Sequence, residues 1–458
     1  MNLRLFILIN IIIFYSCNFL DDTTEELDSD GNDNSIEQKN YSIDSDGQII
    51  TTEFNHNDFN SAHDCMECHQ QHFDEWNNSM HAHSFKAPLF ISLLNGEIQK
   101  RPETGQNFCL QCHAPVAYLS NYEMPNINST NDLNNLPESI SQGITCTVCH
   151  VMVNTSSTVF TPDNAAAVID DYHLNPGQNI FYGSIEFPDS NSFHDSQYLP
   201  FYSQSESCLP CHDQLIRGKE IETTFTEWQR IPGFGMSGAF PCQECHMPIT
   251  EDGHRDHTFA SVDVNLDSPY DLYAENLALL QTAVGLEFNF ESDSLNLTSG
   301  NTIAIPIIVE SFTGHRFPTG TSFGREAWIE ISISSNDSVI FQSGKINHSE
   351  GESLNINDES LLLFTTWLLD ENNDTTFSAS DTYDFINNSL PALEKRNHTY
   401  NLTLEEDFTS IDIEMKMIFR ALKPEFFNES NNYLINTIPV YEIASTSKTI
   451  FNYIEINQ

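Results

Sequence analysis

The chain has few basic residues. Only 18 of its 458 residues are Lys or Arg, against 66 Asp or Glu, which gives a formal net charge of −48 at pH 7. A phosphate backbone would be repelled by such a surface, so nucleic acid is excluded as a partner. A solvated acidic surface is the simplest interpretation of the excess, and a cationic protein would be attracted to it.

Cysteine is nearly absent outside one repeated motif. Ten of the 11 cysteines lie in five copies of Cys-x-x-Cys-His, and the remaining one is Cys17. This distribution leaves no cysteines for the disulfide framework that many small exported proteins use.

Long apolar runs are missing too, except near the start. The run at residues 5–15 follows Arg4 and is too short to span a bilayer, but it fits the apolar part of a signal peptide. Cys17 follows the small residue Ser16 directly after this run, as at a bacterial lipoprotein cleavage site. We therefore predict export, lipidation of Cys17 and a lipid anchor in a membrane, in the periplasm or at the cell surface of a Gram-negative bacterium.

The five motifs predict covalently attached haem c. Two thiols separated by two residues match the vinyl groups of haem, and the adjacent histidine reaches the iron. Random order would give on the order of 0.01 copies of this motif in such a composition. A zinc site with four ligands would not need a histidine after every cysteine pair. The attaching cysteines and proximal histidines are Cys65, Cys68 and His69; Cys109, Cys112 and His113; Cys146, Cys149 and His150; Cys208, Cys211 and His212; Cys242, Cys245 and His246.

The second ligand of each iron decides between functions. The chain has 17 histidines, and the 12 outside the motifs are enough to complete five bis-histidine irons. Bis-histidine iron transfers electrons but has no site for a substrate, whereas an open iron allows catalysis. Three functions remain open: an electron carrier, a reductase or oxidase of a small nitrogen or sulfur compound at one open haem, and a subunit of an extracellular haem filament.

The distribution of residue types predicts five segments. We expect a lipoprotein-type signal peptide (1–17), an acidic disordered linker (18–58), a pentahaem domain (59–262), a connector (263–284) and a β-sandwich domain (285–458). Helices are predicted at 73–94 and 224–229. Four alternating or β-branched runs, at 302–309, 327–333, 411–415 and 447–454, are typical of strands in an all-β sandwich. The expected fold is a loop-rich, mainly α multihaem cytochrome domain followed by an all-β sandwich-like domain.

The residues after the first motif resemble a known haem domain. The segment Cys65-Met-Glu-Cys-His-Gln-Gln-His-Phe-Asp-Glu-Trp76-Asn-Asn-Ser79-Met-His81 is similar to the domain shared by tetrahaem cytochromes of ammonia oxidisers and relatives of hydroxylamine oxidoreductase. There the histidine of Ser-x-His ligates another haem, which implies this role for His81. Similar matches imply distal ligands at His194, at His257 and, from Gly314-His-Arg-Phe-Pro-Thr-Gly320 in the β-domain, at His315.

The fifth distal ligand is not implied by the resemblance. His63 is the leading candidate, ahead of His83, His173 and His254. No motif replaces its histidine with lysine, as the pentahaem nitrite reductases do, and no cross-linking tyrosine is evident. Both features favour an electron carrier with redox protein partners over an enzyme. The sequence does not specify an oligomeric state.

Overall fold

The structure is a computed structural model, and it describes residues 42–43, 49–50, 54–102, 105–127, 130–155, 167–169, 180–216, 218–235, 238–266, 271–427 and 432–453. The predicted signal peptide, Cys17, most of the predicted linker and His173 lie outside these residues. Within the described part of the chain, no helix is both long enough and apolar enough to cross a membrane.

The described α-helices all precede residue 282 and are mostly short. Four of them end at a motif histidine, so the last turn of each helix presents a ring. They are α1 (Ala62–Met66), α2 (Gln70–Asn78), α3 (Met80–His83), α4 (Pro88–Lys100), α5 (Gly105–His113), α6 (Pro115–Leu119), α7 (Glu138–Ser141), α8 (Cys146–His150), α9 (Leu209–His212), α10 (Thr224–Gln229), α11 (Cys242–His246) and α12 (Tyr273–Gln281).

The predicted helix at 224–229 matches α10, but the one at 73–94 is divided among α2, α3 and α4. Ser79 ends α2 in an extended conformation, and its hydroxyl donates to the carbonyl of Trp76 at 2.6 Å. Pro88 then starts α4 at its first position, where its missing N–H is not needed. The three helices pack into different apolar clusters: Trp76 and Ala82 lie in one, and Leu94 lies in another.

The described strands have at most four residues before residue 284, and every longer strand lies after it. They are β1 (Ser42–Ile43), β2 (Ile49–Ile50), β3 (Met152–Thr155), β4 (Ala167–Ile169), β5 (Ile180–Gly183), β6 (Asp195–Tyr198), β7 (Gln214–Ile216), β8 (Lys219–Glu222), β9 (Val284–Phe288), β10 (Ser294–Leu295), β11 (Thr302–Ser311), β12 (Glu326–Ser335), β13 (Ser338–Ser343), β14 (Leu363–Phe364), β15 (Thr366–Leu369), β16 (Thr375–Thr376), β17 (Asp384–Asn387), β18 (Lys395–Thr403), β19 (Ser410–Arg420) and β20 (Val440–Asn452).

The C-terminal part is built from sheets, as the alternating runs predict. One sheet has the order β10-β20-β19-β12-β13, with β14 also paired to β12, and a second has the order β18-β11-β9. Buried and exposed positions alternate along β11, so one face points inward. Side chains from both sheets meet in one apolar cluster that includes Ile305, Ile331, Ile413 and Tyr441. All four predicted runs overlap β11, β12, β19 and β20.

Several polar contacts join the helical region to the strand region. Arg101 at the end of α4 donates to Asp381 at 2.9 Å, and Arg325 donates to Asp263 at 2.7 Å. Packing in the helical region already begins inside the segment predicted as linker, because Phe54 is buried in its apolar cluster. The helices and the sheets therefore share an interface along which side chains of both can reach one site.

Candidate haem-binding site

A continuous cavity runs through the helical region and reaches the strand region. Its volume is about 2190 Å³, against roughly 300–1,000 Å³ for a typical ligand pocket. Its wall contains all ten motif cysteines and all five motif histidines. Of the predicted distal ligands, His81, His194, His257 and His315 also line it. The fold thus gathers, around one space, residues that are spread over 250 positions of the sequence.

Four of the five motif histidines face a second histidine across this cavity. Metal-bound imidazole nitrogens lie about 2 Å from their metal, so two imidazoles on opposite sides of one ion have ring centres about 6.3 Å apart. The four pairs show this spacing. Their centroid distances are 6.2 Å for His69–His194, 6.3 Å for His81–His212, 6.4 Å for His150–His257 and 6.3 Å for His246–His315.

Backbone carbonyls fix which ring nitrogen points into the cavity. In six of the histidines that line the cavity, Nδ1 lies within hydrogen-bond distance of a carbonyl oxygen. This places the proton on Nδ1 and leaves Nε2 free to coordinate. The bonds are His113 to Ser84 (2.9 Å), His150 to Tyr182 (2.6 Å), His194 to Asp195 (3.2 Å), His246 to Ala260 (3.0 Å), His257 to Arg255 (2.7 Å) and His315 to Arg316 (2.9 Å).

The enclosing protein keeps three of the cavity histidines neutral. Burial lowers the pKa of His81 to about 3, and it lowers the pKa of His212 and of His257 to about 4. The His212 ring lies inside the protein. The surface that it exposes faces the cavity rather than the outside of the molecule. Neutral imidazole is the form that binds metals, so the electrostatics of the cavity fit a metal-bound cofactor.

The cysteines of different motifs also meet. The Cys65 and Cys146 thiols lie close together, and this proximity raises the pKa of Cys146. Equivalent thiol contacts join the second motif to the fourth, and the fourth to the fifth. Phe259 lies between His81 and His257, with ring centroids 4.3 and 5.8 Å away, and so joins the third and fourth sites. The five motifs therefore form one connected series without a gap.

His113, the histidine of the second motif and the one motif histidine outside these four pairs, has a different neighbour. Phe90 of α4 stacks on its ring, with centroids 4.2 Å apart and an angle of 19° between the planes. His63, the predicted fifth ligand, is not among the residues that line the cavity. Its Nδ1 lies 2.8 Å from the Gln142 amide and 3.1 Å from the Glu138 carboxylate.

The two other described candidates for that role are also engaged. His83 Nε2 lies 3.0 Å from the carbonyl oxygen of Asn77. His254 Nε2 lies 2.7 Å from Glu75, and its Nδ1 lies 2.8 Å from Asp252. The structure therefore brings no candidate among these to His113, and His63 as a ligand stays a prediction.

Sequence reasoning missed the residues that orient the rings. The carbonyls of Ser84, Tyr182 and Ala260 belong to the backbone, so no residue type marks them. Tyr202, which stacks on His150 at 5.6 Å and donates to two backbone carbonyls, carries no motif. An aromatic residue before the fourth motif is the only signal that would have drawn attention to it.

The comparisons with known proteins agree with this geometry. Residues 64–151 match the family model of cytochrome c554 and c-prime. A crystal structure of a penta-heme cytochrome c552 from Thermochromatium tepidum superposes with a TM-score of 0.61 at 18% sequence identity, covering 86% of this chain and 99% of that chain. No curated protein matches. Together these findings support a multihaem cytochrome c, with a haem-binding region followed by a β region. The resemblance to hydroxylamine oxidoreductase relatives stays a prediction.

Proposed function

We propose that the protein is a pentahaem electron carrier that works outside the cytoplasm. The observation that carries this proposal is the set of four histidine pairs spaced 6.2 to 6.4 Å across one cavity. When bound, each haem supplies an iron that cycles between ferric and ferrous and so carries one electron. A histidine on both sides of the iron leaves no position for a substrate, and this favours conduction over catalysis.

The chain contributes attachment, ligation and insulation. The ten motif cysteines hold the cofactors, and the five motif histidines together with His81, His194, His257 and His315 provide ligands. Carbonyls that accept from Nδ1 orient six of these nine rings and raise their basicity. Burial excludes water from the sites, and the net charge of −48 stabilises the ferric state, so both tune the potentials.

The contacts between motifs support a route for electrons. The first motif touches the third, the third reaches the fourth through Phe259, and the fourth touches both the second and the fifth. The fourth site is thus a branch point. The first, second and fifth sites are the three ends of this route, and a redox partner would dock at one of them. The fifth lies next to the strand region, because His246 faces His315.

Electron paramagnetic resonance of the purified ferric protein, combined with intact mass, tests the proposal. We expect five haems per chain and four low-spin bis-histidine signals. Replacing His81 with Ala should convert one low-spin signal, that of the fourth site, to high spin. His83→Ala is a matched control in the same helix, because His83 faces the backbone of Asn77 and should leave every signal unchanged. Fewer than five haems, or equal effects of the two variants, would refute the proposal.

The site at His113 favours a second candidate function. No described histidine faces its ring at the spacing of the four pairs, so an iron held there has an open position as far as the described residues go. Under this alternative the protein reduces or oxidises a small nitrogen or sulfur compound at that haem while the other four deliver electrons.

Ligand binding discriminates between the two candidates. An open iron at His113 gives a high-spin ferric signal that disappears when cyanide is added, and His113→Ala abolishes it. Five low-spin signals in the unmodified protein remove the alternative. In that case His63→Ala and His173→Ala identify the fifth ligand, because only the ligand's variant creates a high-spin signal.

The remaining part of the proposal concerns location. We propose that Cys17 is lipidated and anchors the protein to a membrane through the acidic linker. Mass spectrometry of the mature N-terminus tests this, since a Cys17→Ser variant should lose the lipid and leave the membrane fraction. Retention of that variant in the membrane would contradict the anchor.

A further inference from the structure

Two segments far apart in the sequence share one short pattern. Phe73-Asp-Glu-Trp76 lies in α2, and Phe225-Thr-Glu-Trp228 lies in α10. In each segment the Phe and Trp rings pack together, with centroids 5.7 and 5.4 Å apart and planes inclined by 48° and 47°. The second segment lies outside residues 64–151, so it is not part of the family match.

The two tryptophans fasten the chain that enters a later motif. Trp76 Nε1 donates to the carbonyl of Ile144, and Trp228 Nε1 donates to the carbonyl of Phe240, both at 2.8 Å. Each acceptor lies two positions before the first cysteine of a motif, the third in one case and the fifth in the other. The indole of each segment thus fixes the start of a haem-attaching helix.

The two glutamates hold the opposite side of the same sites. Glu75 Oε2 accepts the backbone N–H of His257 at 3.0 Å, and His257 faces the histidine of the third motif. Glu227 Oε2 accepts the backbone N–H of Arg316 at 3.0 Å. Arg316 directly follows His315, which faces the histidine of the fifth motif.

The thiol contacts repeat in the same way. The first cysteine of the first motif meets the first cysteine of the third, and the first cysteine of the fourth motif meets the first cysteine of the fifth. Each Phe-x-Glu-Trp segment therefore follows one motif of such a pair. Its Trp and Glu bind the backbone on both sides of the other haem site, before the attaching helix and at the distal histidine. This is a repeated unit of two motifs, one helix and one distal histidine, with its last ligand supplied by a loop in one copy and by the strand region in the other.

We propose that Glu75 and Glu227 are equivalent positioning residues, which orient the distal histidines of the third and fifth sites and place a negative charge beside each. The proposal rests on the proposed function, because it requires these histidines to bind iron. A carboxylate next to the ligand favours the ferric state, so each residue lowers the potential of one haem only.

The two glutamates differ in their counter-charges. Glu75 contacts His254, whose pKa is raised because its bonds to Glu75 and Asp252 outweigh the effect of burial. Glu227 accepts from the Thr319 hydroxyl at 2.5 Å, and its carboxylate lies 4.0 Å from the Arg316 guanidinium. A permanent cation beside Glu227 offsets its charge more than a histidine offsets that of Glu75. Neutralising Glu75 should therefore give the larger shift in potential.

The test uses four variants of the full haem-loaded chain: Glu75→Gln, Glu227→Gln, Glu75→Ala and Glu227→Ala. Ferric electron paramagnetic resonance reports the ligand orientation, and a spectroscopic redox titration reports the five midpoint potentials. Glutamine keeps an acceptor for the backbone N–H, so we expect unchanged spin states with an upward shift of one potential, a different one for each residue. Alanine also removes the acceptor, so it should in addition alter one low-spin signal. Glu123→Gln, on an exposed residue, is the charge-matched control.

The outcomes separate this proposal from the one on which it rests. If the unmodified protein lacks the four low-spin signals, the proposed function fails first. If those signals are present but the Glu75 and Glu227 variants behave like Glu123→Gln, the positioning role is wrong. It is also wrong if both residues shift the same potential, or if either shifts all five together. Should an alanine variant fail to load haem, the corresponding glutamine variant decides.

Discussion

The helical and strand regions are held together by different means. In the strand region, large side chains such as Phe364, Phe419 and Tyr441 are fully buried in one apolar cluster. The helical region has a smaller apolar cluster, which includes Phe85, and a cavity of about 2190 Å³ whose wall contains cysteines and histidines. Burial of apolar surface supplies most of the free energy of folding, at roughly 25 cal/mol per Å². The strand region therefore holds a larger continuous core, whereas the helical region combines a smaller apolar cluster with a cavity that its cofactors would fill.

Preventing haem attachment should have the largest effect, and it should affect the two regions differently. In a chain with all ten motif cysteines changed to Ala, we expect hydrogen exchange to become fast over residues 54–262, because the cavity would collapse or fill with water. The strands β11, β12, β19 and β20 should keep their protection. Exchange measured by mass spectrometry on both proteins checks this. Equal loss of protection in the strands would show that the two regions fold as one unit.

A cavity in the strand core should have the next largest effect. The Phe419 side chain is fully buried, with its ring 5.7 Å from that of Phe317. Phe419→Ala should lower the free energy of unfolding of the strand region by about 3–5 kcal/mol. Denaturant titration followed by circular dichroism measures this loss. Val339→Ala, at a side chain that is 58% exposed, should cost little. A similar cost for both variants would mean that this core does not carry the stability.

The free energy of unfolding of the strand region should depend on pH through Lys423, with a smaller effect than that of a core cavity. Burial lowers the pKa of Lys423 to about 8 from its ordinary 10.5. Between these values the folded protein binds fewer protons than the unfolded chain, so this group makes the free energy of unfolding rise with pH, by on the order of 1 kcal/mol per unit. Denaturant titrations from pH 8 to 10.5 measure the slope. Lys423→Met should lose this contribution, and an identical slope in the variant would contradict the assignment.

An exposed ion pair in the same region should matter least. Lys416 Nζ lies 2.6 Å from Glu442, and the two side chains are 40% and 45% exposed to solvent. We expect Lys416→Gln to change the free energy of unfolding by less than about 1 kcal/mol, since solvent and salt screen such pairs. Thermal unfolding at low and high salt should show a small difference that vanishes at high salt. A loss of stability as large as that of Phe419→Ala would contradict this expectation.

Much of the fold could be predicted from local patterns. The alternating runs gave the positions of four long strands, because one inward face imposes a period of two on the sequence. The helix at 224–229 was predicted as well. The helix at 73–94 was predicted as continuous, whereas Ser79 and Pro88 divide it. Both of these residues carry a known local signal, and the apolar pattern around them concealed it.

The candidate site divides in a similar way. The attaching cysteines and proximal histidines stand next to each other in the sequence, since one short helix must present all three to one haem. His81 and His212, by contrast, are 131 positions apart in the numbering and meet only after folding. The resemblance to known haem domains named the four distal candidates, but it could not pair them with motifs.

The way in which haem is attached can be predicted from the sequence alone, because attachment needs two thiols and one histidine at a fixed local spacing. The sequence also determined the two kinds of architecture, through the periods of apolar residues. Which histidine faces which motif is seen only in the folded chain. The same holds for the equivalent contacts of Glu75 and Glu227, and for Phe90, which stacks on His113. Those relations depend on distances between remote segments, which no local pattern of residues encodes.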